Sequence, residues 1–164
     1  MSLLALPGRR PQTLAWMRAL LADLGALDAA IQRYGFWAGD HANPDVEPEA
    51  RIAAASGADR VLALSIGTLV AMIARRTHGF RPSACIFVGT PVKRLHAEGL
   101  LGLLAEQAAA APTLFIQQTA DPTGSFAELA ATLPEAAAAC EVPGADHAYT
   151  DTRALAALVA GWRP

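Results

Sequence analysis

The chain has 164 residues, of which 53% are hydrophobic and 17% charged, and its formal net charge is −2. This length fits one domain with a sizeable core, so we expect residues 1–164 to form a single domain. Arg9–Arg10 and Arg75–Arg76 are expected to be solvated surface pairs, too short to follow a phosphate backbone, which argues against a nucleic-acid partner. No stretch reaches the roughly 18 apolar residues of a membrane span, and no signal-peptide pattern is present. We therefore expect a cytoplasmic protein without a membrane partner.

Short apolar runs alternate with segments of helical periodicity along the whole chain. We predict strands at Ser2–Leu6, Ala29–Phe36, Arg60–Leu64, Ala84–Val88, Thr113–Gln118 and Ala139–Val142. We predict helices at Thr13–Leu24, about Glu47–Ser56, Ser65–Arg76, about Ala97–Ala110, around Ser125–Thr132, Glu135–Ala138 and from Asp151 or Thr152 to about Ala160. This repeat indicates an α/β fold with three layers, in which helices cover both faces of a six-stranded parallel sheet of order 2-1-3-4-5-6.

Both cysteines, Cys85 and Cys140, fall in predicted buried strands, where a small apolar role is expected. Their spacing is not that of a zinc site, and we expect no metal.

Ligands of such a sheet bind outside the carboxyl ends of the strands, where the strand order reverses. The turns expected there are Pro7-Gly8-Arg9 after the first strand and Ser65-Ile66-Gly67 after the third. The turns after the fifth and sixth strands carry Asp121 and His147. Residues far apart in sequence are therefore predicted to share one edge of the sheet.

Ser65 lies in the segment Ala63-Leu64-Ser65-Ile66-Gly67, between a predicted strand and a predicted helix. The nucleophile-elbow pattern G-x-S-x-G needs small residues beside the serine, because strand and helix approach closely at the turn. Here Ala63 replaces the first glycine, and Gly67 keeps the second. A serine at this place is also a common helix N-cap, so the functional interpretation depends on the strand-turn-helix context.

Asp121 follows the fifth predicted strand directly before a proline, and His147 follows the last strand. A carboxylate placed in this way can orient a histidine, although a turn aspartate and a surface loop histidine are also common. We expect Asp121, rather than Asp146 or Asp151, to orient His147, because adjacent side chains at a turn diverge and Asp151 suits a helix cap. Among the other histidines, His41 is the best substitute base, since its loop also follows a predicted strand.

The chain order serine, aspartate, histidine on successive turns gives these residues a common interpretation. His147 would accept the hydroxyl proton of Ser65 and pass it to the leaving group, while Asp121 orients the imidazole. The backbone N–H groups of Ile66 and Arg9 are the candidate oxyanion donors.

Four segments, Leu4–Gly8, Val61–Gly67, Gln118–Pro122 and Val142–His147, resemble the α/β-hydrolase superfamily and span nearly the whole chain. The last segment looks much like the histidine loop of small lidless serine hydrolases and dienelactone-hydrolase-like esterases. The resemblance implies hydrolysis of a small carboxylic ester or related acyl substrate through an acyl-enzyme, without cofactor or metal.

The sequence departs from that family in two places, since it has Pro7-Gly8 where members often carry His-Gly, and Ala63 for the first elbow glycine. The segment Gly89–Arg94 leaves no room for a helical cap, so short soluble esters are the expected substrates. The alternative is a non-catalytic α/β-hydrolase-like binding or interaction protein. A flavodoxin-like or receiver-type domain shares the strand order, but the first turn lacks the phosphate loop or the acidic residues of those classes.

Overall fold

The computed structural model describes residues 2–39 and 42–164. Its strands are β1 Leu3–Leu6, β2 Ala30–Ile31, β3 Arg60–Leu64, β4 Ala84–Val88, β5 Thr113–Gln118 and β6 Ala138–Val142. Its helices are α1 Thr13–Asp23, α2 Glu47–Ala55, α3 Ile66–His78, α4 Val92–Ala97, α5 Gly102–Ala110, α6 Phe126–Ala130 and α7 Thr152–Gly161, with a 3-10 helix at Gly35–Ala38. Among the described residues, no helix has the length and apolar character needed to cross a membrane. His41, the predicted substitute base, lies outside the described residues.

The six strands form one sheet in which every neighbouring pair is parallel, in the order β2-β1-β3-β4-β5-β6. This confirms the predicted fold class and strand order. The order reverses at β1, which lies between β2 and β3. In the register, Leu6 pairs with Ala63, Leu64 with Val88, and Gln118 with Val142. The carboxyl ends of the strands therefore meet at one edge of the sheet.

Helices cover both faces of the sheet and enclose two apolar cores. Along β3, Val61 and Ala63 belong to the core shared with α2, α3 and α5, whereas Leu62 and Leu64 belong to the core shared with α1 and α7. A strand buried on both faces needs a continuous apolar run, because neither set of alternating side chains meets water. Each large aliphatic side chain buried in this way contributes about 1.5–3 kcal/mol. This explains why β3 has the bounds predicted from its sequence.

The second strand differs most from its prediction, since only Ala30–Ile31 of the predicted Ala29–Phe36 is a strand. The backbone N–H of Gln32 still donates to the carbonyl oxygen of Ala5 (3.0 Å). Its buried side chain, however, donates to the backbone oxygen and the carboxylate of Glu49 on α2 (both 3.0 Å). These hydrogen bonds with α2 therefore hold the chain away from the sheet after Gln32, and the 3-10 helix follows.

The predicted helix Ala97–Ala110 begins too early, because α5 covers only Gly102–Ala110 and Ala97 is the last residue of α4. Gly99 adopts a φ of +69° just after α4, a conformation that glycine reaches without steric cost. The next N–H, from Leu100, donates back to the carbonyl oxygen of Leu95 (2.7 Å), which closes the end of α4.

Three further expectations are wrong. Glu135–Ala138 forms a turn that leads into β6 rather than a helix. Cys140 is only half-buried because β6 is an edge strand, whereas Cys85 is buried as expected. Arg75 is a buried side chain rather than a solvated one, and its Nε donates to the Oε1 of Gln107 (2.9 Å) where α3 packs against α5.

Candidate active site

Ser65 occupies a sharp turn between β3 and α3. Its φ of 53° and ψ of −118° lie in a sparsely populated region for an L residue, which costs about 1–3 kcal/mol. Its N–H donates to the carbonyl oxygen of Val88 (2.8 Å), and its carbonyl oxygen accepts from the N–H (2.9 Å) and hydroxyl (2.8 Å) of Thr68. The side chain of Ser65 makes no N-cap hydrogen bond, so its hydroxyl does not serve as a helix cap.

Gly67 allows α3 to begin directly against the end of β1. A Cβ built at Gly67 would lie 2.8 Å from the carbonyl oxygen of Pro7 and closer still to that of Leu6. Real Cβ atoms do not approach backbone atoms so closely, so only glycine fits here. Ala63 is different, because its methyl group is buried in the core without displacing β3. Of the two glycines in the elbow pattern, this turn needs only the second.

Two short hydrogen bonds join Ser65, His147 and Asp121. His147 Nε2 lies 2.8 Å from Ser65 Oγ, and His147 Nδ1 lies 2.7 Å from Asp121 Oδ2. The carboxylate accepts a hydrogen bond from the N–H at Nδ1. The lone pair of Nε2 is then free to accept a hydrogen bond from the Ser65 hydroxyl. The His147 side chain is 21% exposed, whereas the Asp121 side chain is fully buried. The carboxyl ends of β3, β5 and β6 thus bring the three predicted residues together.

The carboxylate of Asp121 accepts four hydrogen bonds. Its Oδ2 accepts from His147 and from the hydroxyl of Tyr149 (2.7 Å), and its Oδ1 accepts from the N–H (2.8 Å) and hydroxyl (2.7 Å) of Thr123. Burial acts to raise the pKa of Asp121, but the hydrogen bonds outweigh it and hold the pKa below its ordinary value. An ionised carboxylate at this place can stabilise the imidazolium that forms when His147 takes a proton.

Tyr149 links Asp121 to the loop that carries the histidine. Its buried hydroxyl donates to Asp121 and accepts the backbone N–H of Gln118 (2.9 Å). Burial, followed by the hydrogen bond to Asp121, raises the pKa of Tyr149 far above its ordinary value, so the hydroxyl stays protonated and remains a donor. On the opposite side, Trp16 donates its indole N–H to the Tyr149 carbonyl oxygen (2.8 Å). Sequence reasoning missed this role, because nothing in the local pattern marks Tyr149.

Two glutamines at the end of β5 hold the neighbouring loops, and sequence reasoning missed both. Gln118 accepts the N–H groups of His147 (2.9 Å) and Asp146 (3.2 Å), and it donates to the Asp146 carboxylate (2.9 Å). These bonds fix a loop in which His147 has a φ of 63°, and they engage Asp146 away from the imidazole. Gln117 pairs through both side-chain ends with the backbone of Thr90 (2.9 and 3.2 Å). The sequence did contain a signal for this role, namely two glutamines at the end of a predicted buried strand. Buried polar side chains need hydrogen-bond partners, so these two could have been expected to bond to neighbouring loops.

A cavity of about 580 Å³ lies beside Ser65 and His147. Arg9 and Ile66, the predicted oxyanion donors, both line it. The N–H of Ile66 is one of the first amides of α3, which have no partner within the helix. Within residues 2–39 and 42–164, neither this N–H nor that of Arg9 donates a hydrogen bond to the protein. Amides held in this way can stabilise charge that develops on a substrate oxygen.

The remaining sequence predictions concern Asp151 and metal binding. Asp151 caps α7 by accepting the N–H of Ala154 (2.9 Å), as predicted. In the described part of the chain, no group of three or more His, Cys, Asp or Glu side chains is arranged to hold a metal ion.

No protein-family model, curated protein or solved structure matches the chain.

Proposed function

We propose that the protein is a serine hydrolase of the α/β-hydrolase type that cleaves a small carboxylic ester or a related acyl substrate. The observation that carries the proposal is the continuous hydrogen-bond chain from Asp121 through His147 to the Oγ of Ser65, at the wall of a cavity. The strained turn at Ser65 supports it, because such strain is retained where the surrounding structure needs it. The strand order 2-1-3-4-5-6 is also the one that the resemblance to α/β-hydrolases implies.

In the proposed reaction, Ser65 Oγ attacks the substrate carbonyl carbon while its proton passes to His147 Nε2. The N–H groups of Ile66 and Arg9 stabilise the tetrahedral oxyanion, and Asp121 stabilises the imidazolium. The imidazolium then protonates the leaving group, and an acyl-enzyme forms. Water then attacks the acyl-enzyme while His147 takes one of its protons. When the tetrahedral intermediate collapses, the acid leaves and His147 returns the proton to Ser65 Oγ.

Labelling with a fluorophosphonate tests the nucleophile directly, because only an activated serine reacts. We expect one label, on Ser65, and none on Ser65→Ala. Ser125→Ala is the matched control, since Ser125 also precedes a helix but uses its hydroxyl in an ordinary N-cap with Glu128 and has a φ of −63°. Ser125→Ala should label like the wild-type protein, apart from about 1 kcal/mol of lost stability.

Hydrolysis of p-nitrophenyl acetate tests the other two residues. His147→Ala should remove nearly all turnover, and Asp121→Asn should lower kcat by about 10⁴-fold, because the amide disturbs the required tautomer. Labelling that persists in Ser65→Ala would reject the assignment of the nucleophile. Absence of both labelling and turnover in the wild-type protein would indicate instead a non-catalytic binding protein that uses the same cavity.

Acyl chain length is a further part of the proposal. Only Gly89, Thr90 and Pro91 separate β4 from α4, so the chain has no inserted cap at this place. An uncapped site buries little of a long acyl chain, and each buried methylene contributes only about 0.8 kcal/mol. We therefore expect kcat/KM to be highest for short p-nitrophenyl esters. A steady rise from acetate to palmitate would contradict this.

A further inference from the structure

The lining of the cavity beside Ser65 carries more positive than negative charge. Arg9, Arg10 and Arg94 line it together with Ser65 and His147, whereas the chain as a whole carries a net charge of −2. Among the described residues of its lining, Asp146 is the only carboxylate.

The charges of this lining are not compensated equally. Arg94 forms an ion pair with Glu98 (2.7 Å), and Asp146 is already bonded to the side chain of Gln118 (2.9 Å) and the N–H of Ala148 (2.9 Å). Arg94 and Asp146 therefore have partners within the protein.

Among the described residues, neither Arg9 nor Arg10 has an ion-pair partner. Arg9 donates to a neutral acceptor, the carbonyl oxygen of Ala42 (3.4 Å). The Arg10 guanidinium makes no hydrogen bond or ion pair within residues 2–39 and 42–164. Its backbone is nevertheless fixed, because its carbonyl oxygen accepts from the N–H (3.0 Å) and hydroxyl (2.6 Å) of Thr13 at the start of α1. Arg9 and Arg10, both exposed, thus line the cavity on a segment whose backbone is anchored.

We propose that the substrate of this site is an ester carrying a carboxylate, and that Arg9 and Arg10 bind this carboxylate while Ser65 attacks the ester carbonyl. The inference rests on the proposed hydrolase function and names its substrate class. A guanidinium presents paired N–H donors that match the two oxygens of a carboxylate, so it recognises this group through both charge and geometry. A neutral ester of the same shape lacks both interactions.

Two pairs of substrates test the proposal. In the first pair, mono-p-nitrophenyl succinate is compared with its methyl ester, which places the charge on the acyl side; the uncatalysed rate is subtracted, because the free carboxylate also expels p-nitrophenolate by forming succinic anhydride. In the second pair, 4-acetoxybenzoate is compared with its methyl ester, which places the charge on the leaving group. We expect the anionic member of at least one pair to have a kcat/KM about three- to thirtyfold higher, as two partly exposed ion pairs allow.

Substitution and salt should both reduce this preference. Arg10→Gln should lower the anionic-to-neutral ratio, and Arg9→Gln/Arg10→Gln should bring it close to one. Arg18→Gln/Arg33→Gln removes the same charge from exposed positions outside the cavity lining and should keep the ratio. Raising the ionic strength to about 1 M should also lower the ratio, because the screening length falls to about 3 Å.

A binding measurement separates this inference from the proposed hydrolysis. Calorimetric titration of the Ser65→Ala variant with monomethyl succinate and with dimethyl succinate needs no turnover. Tighter binding of the anion, lost when Arg9→Gln/Arg10→Gln is added, supports the inference even if the wild-type protein hydrolyses none of the esters. Equal binding of the two ligands, or an anionic-to-neutral ratio near one in both ester pairs with hydrolysis intact, overturns it.

Discussion

Changing Tyr149 to phenylalanine removes one hydroxyl from the buried network around Asp121 and leaves the ring in place. The variant loses the hydrogen bond to Asp121 and leaves the N–H of Gln118 without an acceptor. A hydrogen bond to a charged group contributes about 1.5–3 kcal/mol, and a buried unpaired donor costs about 1–3 kcal/mol. Because one hydroxyl serves both groups, the two effects are not additive, and we expect a total destabilisation of about 2–4 kcal/mol.

The same hydroxyl affects the proposed chemistry. Without it, Oδ2 of Asp121 keeps only the hydrogen bond with His147, so the carboxylate is held less firmly against the imidazole. We therefore expect kcat/KM to fall by about tenfold, which corresponds to about 1.4 kcal/mol of lost transition-state stabilisation.

Tyr34→Phe is the matched control for this variant. The hydroxyl of Tyr34 is also buried, but it donates to a neutral acceptor, the carbonyl oxygen of Pro7 (3.0 Å), and touches neither Asp121 nor His147. Its removal should cost about 1 kcal/mol and leave kcat/KM unchanged. The assays are urea unfolding and p-nitrophenyl acetate hydrolysis. If Tyr149→Phe keeps the wild-type kcat/KM and loses no more stability than Tyr34→Phe, the reasoning is refuted.

Three further predictions concern the fold and the site. Gly67→Ala should lower the free energy of unfolding by about 3 kcal/mol or more, because the new methyl group meets rigid backbone, whereas Gly161→Ala, with open space around it, should be neutral or stabilising in urea unfolding. Burial raises the pKa of the Cys85 thiol to about 11, so at pH 8 a thiol reagent should label half-buried Cys140 and reach Cys85 only after denaturation; rapid labelling of Cys85 in a Cys140→Ser variant would contradict this. The lowered pKa of Asp121 stabilises the fold above the ordinary pKa of an aspartate and loses that contribution as the pH falls through the lowered value. The stability difference between wild type and Asp121→Asn should therefore shrink below about pH 4, and a difference that does not change with pH would count against it.

Some strands could be predicted with their bounds from the sequence, and their positions explain why. Arg60–Leu64, Ala84–Val88 and Thr113–Gln118 lie in the interior of the sheet, where both faces are buried. Such strands must be continuous apolar runs bounded by turn residues, so the local pattern is sufficient to predict where each strand begins and ends. The edge strand β2 has no such pattern, and the partner of Gln32 on α2 decided where it ends.

The candidate site divides in a similar way. The types and order of Ser65, Asp121 and His147 are properties of the sequence, and parallel strands necessarily place the turns that follow them at one edge. The hydrogen bonds of Tyr149, Gln118 and Asp121 depend on distances between residues that are far apart in the chain. Those distances follow from the register of β5 with β6 and from the positive φ values of the histidine loop. By itself the sequence determined which groups reach the edge of the sheet, because strand order and turn position are local or topological. Only the tertiary structure decided which of them bond to one another. A hydrogen bond requires a donor–acceptor distance that varies by only a few tenths of an ångström, and no sequence pattern specifies distances that closely.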